Sequence, residues 1–172
     1  MVQVNINMEK LERFDQLRRM SINPEKLERL GLVLEKSLLC LPDNLRDKQG
    51  VGNVLQYLFP QHSPQVNLIY EIKAFDGLLG FLDIQYGHTC DVVFHLWNRK
   101  AFNHKLLRGL KQAHREVAKQ FALKRLAFST PNIQHVQIYG RLGFLVEGRQ
   151  AKAFLWNGKL FTNHLMRVIR EV

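Results

Sequence analysis

The 172-residue sequence predicts a mixed α/β domain of the α+β kind, with a mostly antiparallel central sheet flanked by helices. Three observations carry this. Strand-like runs alternate with segments of helical period from residue 66 onward. Asp76-Gly77 and Asn157-Gly158 join neighbouring strand runs as hairpin turns, because these residue types tolerate the positive φ that tight turns require. Hydrophobic residues make up 46% and charged residues 23%, the balance of a globular chain. A single domain over 1-172 is expected from this length. Residues 1-65 form its mainly helical part and 66-172 the part built on the sheet.

In chain order, "MEKLERFDQLRRM" places Met8, Leu11, Phe14, Leu17 and Met20 three residues apart, which reads as a first helix. Pro24 suits the first turn of a second, "PEKLERLGLVLEKSLLCL", and "VGNVLQYLF" reads as a short third before Pro60. "VNLIYEIKAF", "LLGFLDIQY" and "TCDVVFHLW" follow as strands. "HKLLRGLKQAHREVAKQF" returns to helical spacing, with Leu107, Leu110, Val117 and Phe121 on one face. A strand at "KRLAFS", a helix at "NIQHVQIYGRL" and a hairpin of "FLVEGRQAKAFLW" with "KLFTNHLMRVIR" complete the order.

Charge is uneven along the chain. Residues 1–86 hold 10 Lys/Arg and 11 Asp/Glu, whereas 87–172 hold 15 and 4. The basic half favours a polyanion: a cofactor with several phosphates, a nucleic acid or an acidic protein. Cys40 and Cys90 fit neither a disulfide framework nor a paired-thiol metal site, so a reducing, cytoplasmic setting is expected. The longest apolar run is broken by Glu35 and Lys36, and the N-terminus lacks the pattern of a signal peptide, so no membrane association is expected. His88, Cys90 and His95 lack the spacing and fourth ligand of a zinc motif, and no metal is assigned.

Two segments, "PNIQHVQIYGRLGFLVEGR" and "FHLWNRK", resemble the GCN5-related N-acetyltransferase (GNAT) family. The first is similar to the family's Asn, a helix bearing a Tyr, then Leu-Gly-Phe and Glu-Gly. The second resembles the branch that acetylates protein N-termini. The resemblance spans about Leu68 to Val172 and implies acetyl-CoA as cofactor. It also implies two strands that splay apart, so that backbone amides from Phe94 through Leu96 to Trp97 pair with the pantetheine arm. The family's pyrophosphate loop, Gln/Arg-x-x-Gly-x-Gly/Ala, falls on "NRKAFNHKLLRG", where no register gives both glycines. The small positions fall near His104 and Leu106. Either Arg99, Lys100, His104, Lys105 and Arg108 bind the phosphates by side-chain charge, or His104 and Leu106 fill the groove and the fold survives as a scaffold.

The resemblance places Tyr139 as the acid that protonates the leaving thiolate; the residue also reads as a Tyr packed against the sheet. Asn132 orients the cofactor or caps its helix. Among Glu71, Asp83, Asp91 and His95, the last is the candidate base, since imidazole exchanges a proton near neutral pH; it reads also as a structural histidine. The function implied is acetyl transfer from acetyl-CoA to a primary amine on a protein N-terminus, a side chain or a small molecule, the acceptor groove being shaped by the helical N-terminal third. The alternative is a noncatalytic protein of this fold, such as a phage virion or assembly component, whose basic half binds nucleic acid or an acidic protein. In that alternative "FHLWNRKAFNHK" and "AFLWNGKLF" would supply cations and stacking rings. A third reading is an acyl-CoA-binding regulator.

Overall fold

An eight-stranded sheet in the order β1-β2-β3-β4-β5-β6-β8-β7 runs through the protein. The computed structural model describes residues 7–20, 24–36, 48–59, 66–73 and 76–169. Its strands are β1 (Arg13–Phe14), β2 (Leu17–Arg19), β3 (Leu68–Ile72), β4 (Gly77–Leu82), β5 (Thr89–Leu96), β6 (Arg125–Thr130), β7 (Leu145–Trp156) and β8 (Lys159–Ile169). The helices are α1 (Pro24–Lys36), α2 (Lys48–Leu58), α3 (His104–Gln120) and α4 (Ile133–Arg141). All strand pairs are antiparallel except β5 with β6, which α3 connects as a crossover.

The central strands are covered on both faces. α1 and α2 pack on the face carrying Ile69, Leu78, Leu82, Val93 and Trp97. α3 and α4 pack on the other, against Tyr70, Phe81, Cys90, Val92, Phe94 and Leu96. Every residue of β3 and β4 is buried, so both read as continuous apolar runs rather than alternating ones. β1 and β7 are the edge strands, and most of β7 faces solvent.

The N-terminal segment corrects the sequence expectation. Met8–Leu11 is a 3-10 turn, and β1 and β2 form a tight hairpin in which Phe14 pairs with Leu17, in place of a first helix. In an α-helix each three-residue step advances about 300°, so five residues spaced by threes fan around most of the cylinder instead of sharing a face. The hairpin joins β3 through Leu17↔Ile72 and Arg19↔Tyr70, and this extends the sheet by two strands. Gly109 makes room for it on α3: a Cβ there would overlap the Asp15 carbonyl oxygen.

Other boundaries shift less. Asp76-Gly77 does not form the centre of the β3–β4 turn; Gly77 is already in β4, paired with Ile72, and its missing Cβ leaves room for the His95 carbonyl oxygen, 2.5 Å from where that atom would be. On α3 it is Leu106, not Leu107, that joins Leu110 and Val117 in the core. Asn157-Gly158 forms its turn as expected, with φ of 48° and 71°. The C-terminal part of the second expected helix, with Cys40, lies outside the described residues.

Candidate functional site

The parallel pair β5–β6 opens partway along. Its register runs from Thr89↔Arg125 to Val92↔Phe128 and stops there. Beyond this point β5 stays with β4, through Val93↔Gly80 to Leu96↔Gly77. β6 stays with β8, through Ser129↔Leu165 and Thr130↔His164. Each strand follows its other neighbour, and among the described residues the Val93–Leu96 edge facing β6 has no strand partner. An unpaired strand edge presents N–H and C=O groups that an extended ligand can bond.

Two cavities border this opening. One of about 160 Å³ is lined by Val93, Phe94 and His95 of β5, Ser129 and Thr130 of β6, His135 of α4, and Phe154 and Asn163 of the β7–β8 hairpin. The other, of about 280 Å³, is lined by Leu96 and Phe102, by Asn132 at the start of α4, and by Gln134, His135, Gln137, Ile138 and Arg141. His135 belongs to both. Among the described residues, no carboxylate lines either cavity.

Of the expected backbone stretch Phe94–Trp97, the first three residues lie on the unpaired part of β5. The Trp97 N–H is already donated to the Asp76 carbonyl, and its side chain packs on the α1–α2 face. Phe94 and Leu96 are buried, and half-buried His95 points into the smaller cavity.

The segment before α3 forms a 3-10 turn at Arg99–Ala101 and a capped helix start. The Asn98 side chain accepts from Lys100 N–H at 3.1 Å and the Asn103 side chain from Leu106 N–H at 3.0 Å. Leu106 is fully buried in the core and does not stand in the groove. Lys100, His104 and Lys105 are exposed at this end. Arg108 is engaged elsewhere: its guanidinium binds the Asp15 carboxylate at 2.5 Å, which ties α3 to the β1–β2 turn.

Asn132 caps α4, accepting from Gln134 N–H at 2.9 Å, and also lines the larger cavity. Tyr139 is fully buried and lines neither cavity. It stacks on Phe128 and is ringed by Phe94, His114 and Phe144. Among the described residues its hydroxyl has no hydrogen-bond partner. Burial, with a smaller contribution from the Cys90 thiol, holds its pKa well above the usual phenol range.

The remaining candidates are dispersed. Glu71 is buried on β3 and pairs with Lys26 at 3.6 Å. Desolvation and the neighbouring Asp83 raise the Asp91 carboxyl, while Arg125 lowers it. Cys90 is buried and free, with burial pushing its thiol up to about 12. Among the described residues no group of three His, Cys, Asp or Glu side chains could hold a metal, and no helix is long and apolar enough to cross a membrane. Sequence reasoning missed His135, Thr130 and Asn163, and read Phe154 only as a candidate stacking ring. Only His135 carried a signal, lying on α4 between Asn132 and Tyr139 at helical spacing.

No family model and no curated protein matches the sequence. Solved structures do. A microcin self-immunity acetyltransferase in complex with acetyl-CoA and AMP superposes with a TM-score of 0.67 at 16% identity, over 91% of this chain and 93% of that one. An acetyltransferase of the GNAT family from Streptococcus pneumoniae superposes with a TM-score of 0.60 at 18% identity, over 90% and 99%. The fold is that of the GNAT acetyltransferases. A third GNAT-fold neighbour, the spermidine N-acetyltransferase of Vibrio cholerae in complex with CoA and spermine, gives 0.64 at 15% identity, over 90% and 95%.

Proposed function

We propose that the protein is an acetyl-CoA-dependent N-acetyltransferase acting on a primary amine. The observation that carries this is the opening of β5 from β6 after Val92↔Phe128, with a cavity on either side of His135. Bound there, acetyl-CoA supplies the acetyl group as an activated thioester. The Val93–Leu96 edge would hold its pantetheine arm by strand-like hydrogen bonds, and Leu96, Phe102 and Ile138 would exclude water along the larger cavity.

With Lys100 N–H and Leu106 N–H already taken up by Asn98 and Asn103, the exposed Lys100, His104 and Lys105 are left to meet the phosphates by charge. His95, in the smaller cavity, is placed to take the proton released by the attacking amine. Tyr139 builds the wall behind Phe94 and Phe128 and does not touch the substrate. The similarity to acetyltransferase structures solved with acetyl-CoA or CoA supports the same donor.

The test is incubation of the full chain with acetyl-CoA and a panel of primary amines: a polyamine, peptides with free N-termini, and lysine peptides with blocked N-termini. Thiol release matched by a mass gain of one acetyl group on one class establishes the reaction. Absence of both across the panel removes it.

One feature favours the noncatalytic reading: the internal capping of the turn before α3, which leaves fewer backbone donors for a pyrophosphate. In that case the basic half binds nucleic acid or an acidic protein, and the same panel gives no product.

A further inference from the structure

His135 lies one helical turn before Tyr139 on α4 and is 6% exposed. Its ring meets Phe94 edge-on, with centroids 5.1 Å apart and planes at 72°, at the wall shared by the two cavities. The proton that the departing sulfur needs must come from a group facing this space. Tyr139 does not face it: the residue is fully buried, its ring packs against Phe94, Phe128, His114 and Phe144, and it lines neither cavity. The geometry points to His135 as the general acid of the transfer, the residue that protonates the thiolate leaving group. The inference rests on the acetyl-transfer reading and deepens it.

A second contact sets the ring's chemistry. Thr130 Oγ1 lies 3.4 Å from His135 Nδ1 and accepts the Asn132 N–H at 3.1 Å. A hydroxyl has one proton and two lone pairs, so this oxygen can serve both states of the imidazole. It accepts from Nδ1–H when the ring is charged, and still does so once Nε2 has given up its proton, so Nδ1 stays held while Nε2 exchanges a proton. Thr130 is therefore a positioning residue and His135 a catalytic one.

The step balances as follows. The amine lone pair forms the C–N bond to the acetyl carbon while the C–S bond breaks, its electron pair passing to sulfur. The charged His135 gives its Nε2 proton to that sulfur and is left neutral, with Nδ1–H donated to Thr130. The surplus proton on nitrogen leaves through His95 or solvent, and a solvent proton restores His135. The ionisable side chains sharing the two cavities with His135 are His95 of β5 and Arg141 of α4. As an acid, His135 must be protonated, so kcat falls as the pH rises through its titration.

The experiment compares the full-length wild type with His135→Gln, His135→Asn and Tyr139→Phe. Thiol release from acetyl-CoA is followed against pH with the best amine of the panel, and desulfo-CoA binding is followed by calorimetry. We expect both His135 variants to lose about 100-fold or more in kcat, the usual worth of a positioned acid, with desulfo-CoA affinity within about twofold of wild type. The alkaline fall of kcat should disappear with them, and Tyr139→Phe should stay within about threefold of wild type.

A His135→Gln enzyme that keeps its kcat or its alkaline fall overturns the proposal, as does a Tyr139→Phe enzyme that loses as much as His135→Gln. Nitrogen NMR of the wild-type imidazole with desulfo-CoA bound gives a check that needs neither turnover nor a folded variant. Before turnover Nε2 should be protonated across the active pH range, and a resting ring that lacks the Nε2 proton there contradicts the assignment. A wild type that releases no thiol with any amine refutes the reaction itself, whereas failure confined to the variants refutes only the role of His135.

Discussion

Phe128 on β6 and Tyr139 on α4 lie face to face, their ring centroids 3.7 Å apart and their planes 13° from parallel. Phe128 is the last residue of β6 that pairs with β5, so the stack stands at the point where the sheet opens. It fixes α4 over the divergence and brings His135, one turn earlier, to the wall between the cavities.

Tyr139→Phe removes a buried hydroxyl that has no hydrogen-bond partner, so stability should be unchanged or slightly higher. Tyr139→Ala removes the stacked ring and should cost about 3–5 kcal/mol. Equilibrium urea unfolding of the two variants separates the ring from the hydroxyl; a Phe variant as unstable as the Ala variant would show a hydrogen bond that the structure lacks.

Alkaline pH should destabilise the fold. Burial, then the Asp91 carboxylate, raises Cys90 from 9.0 to about 12, and burial also raises Tyr70 and Tyr139 above their unfolded value of 10.0. Each group's folded pKa lies above its unfolded one, so its contribution is complete below the unfolded pKa and is lost as pH rises toward the folded one. The unfolded chain releases the proton first. Stability should hold up to about pH 9 and then decline, each group that has begun to titrate steepening the slope by about 1.4 kcal/mol per pH unit. Urea unfolding at a series of pH values checks this, and Cys90→Ala should delay the onset by about one pH unit.

Gly109→Ala tests the docking of the N-terminal hairpin. Helix propensity alone would favour alanine by about 1 kcal/mol, but the added Cβ would overlap the Asp15 carbonyl oxygen. Overlap with backbone outweighs propensity, and a net loss of about 1–3 kcal/mol is expected. Hydrogen exchange should rise first in β1 and β2.

The basic end of α3 should show a division of labour. Lys100→Glu and Lys105→Glu each weaken acetyl-CoA binding by about 3–10-fold at low salt, less at high salt, where screening removes the difference. Arg108→Ala should change affinity less than about twofold, because its guanidinium is already engaged by Asp15. Calorimetric titration of the three variants at two salt concentrations distinguishes these outcomes.

Much of this was legible in the sequence where local pattern and environment agree. The Asn157-Gly158 turn, the amphipathic α3 and the Asn132 cap of α4 each follow from residues close in the chain. The β1–β2 hairpin was not legible, because Phe14 pairs with Leu17 and Leu17 in turn with Ile72 of β3, a strand far along the chain whose effect a helical count cannot see. At the site, the parting of two neighbouring strands is what the resemblance implied, and pairing of β5 with β6 does stop at Val92↔Phe128. The settings of Arg108 and His135 were not legible: the partner of one, Asp15, lies 93 positions away, and the other's place between two cavities exists only after α4 packs on the sheet.

Calorimetric titration of acetyl-CoA into the purified chain tests the central claim most directly, that the opening between β5 and β6 is a cofactor site. The account predicts saturable binding at one site per chain with a Kd of about 1–100 µM, retained with desulfo-CoA and weakened by salt. Absence of binding at millimolar cofactor would contradict it, and would leave a protein with the acetyltransferase fold but without its reaction.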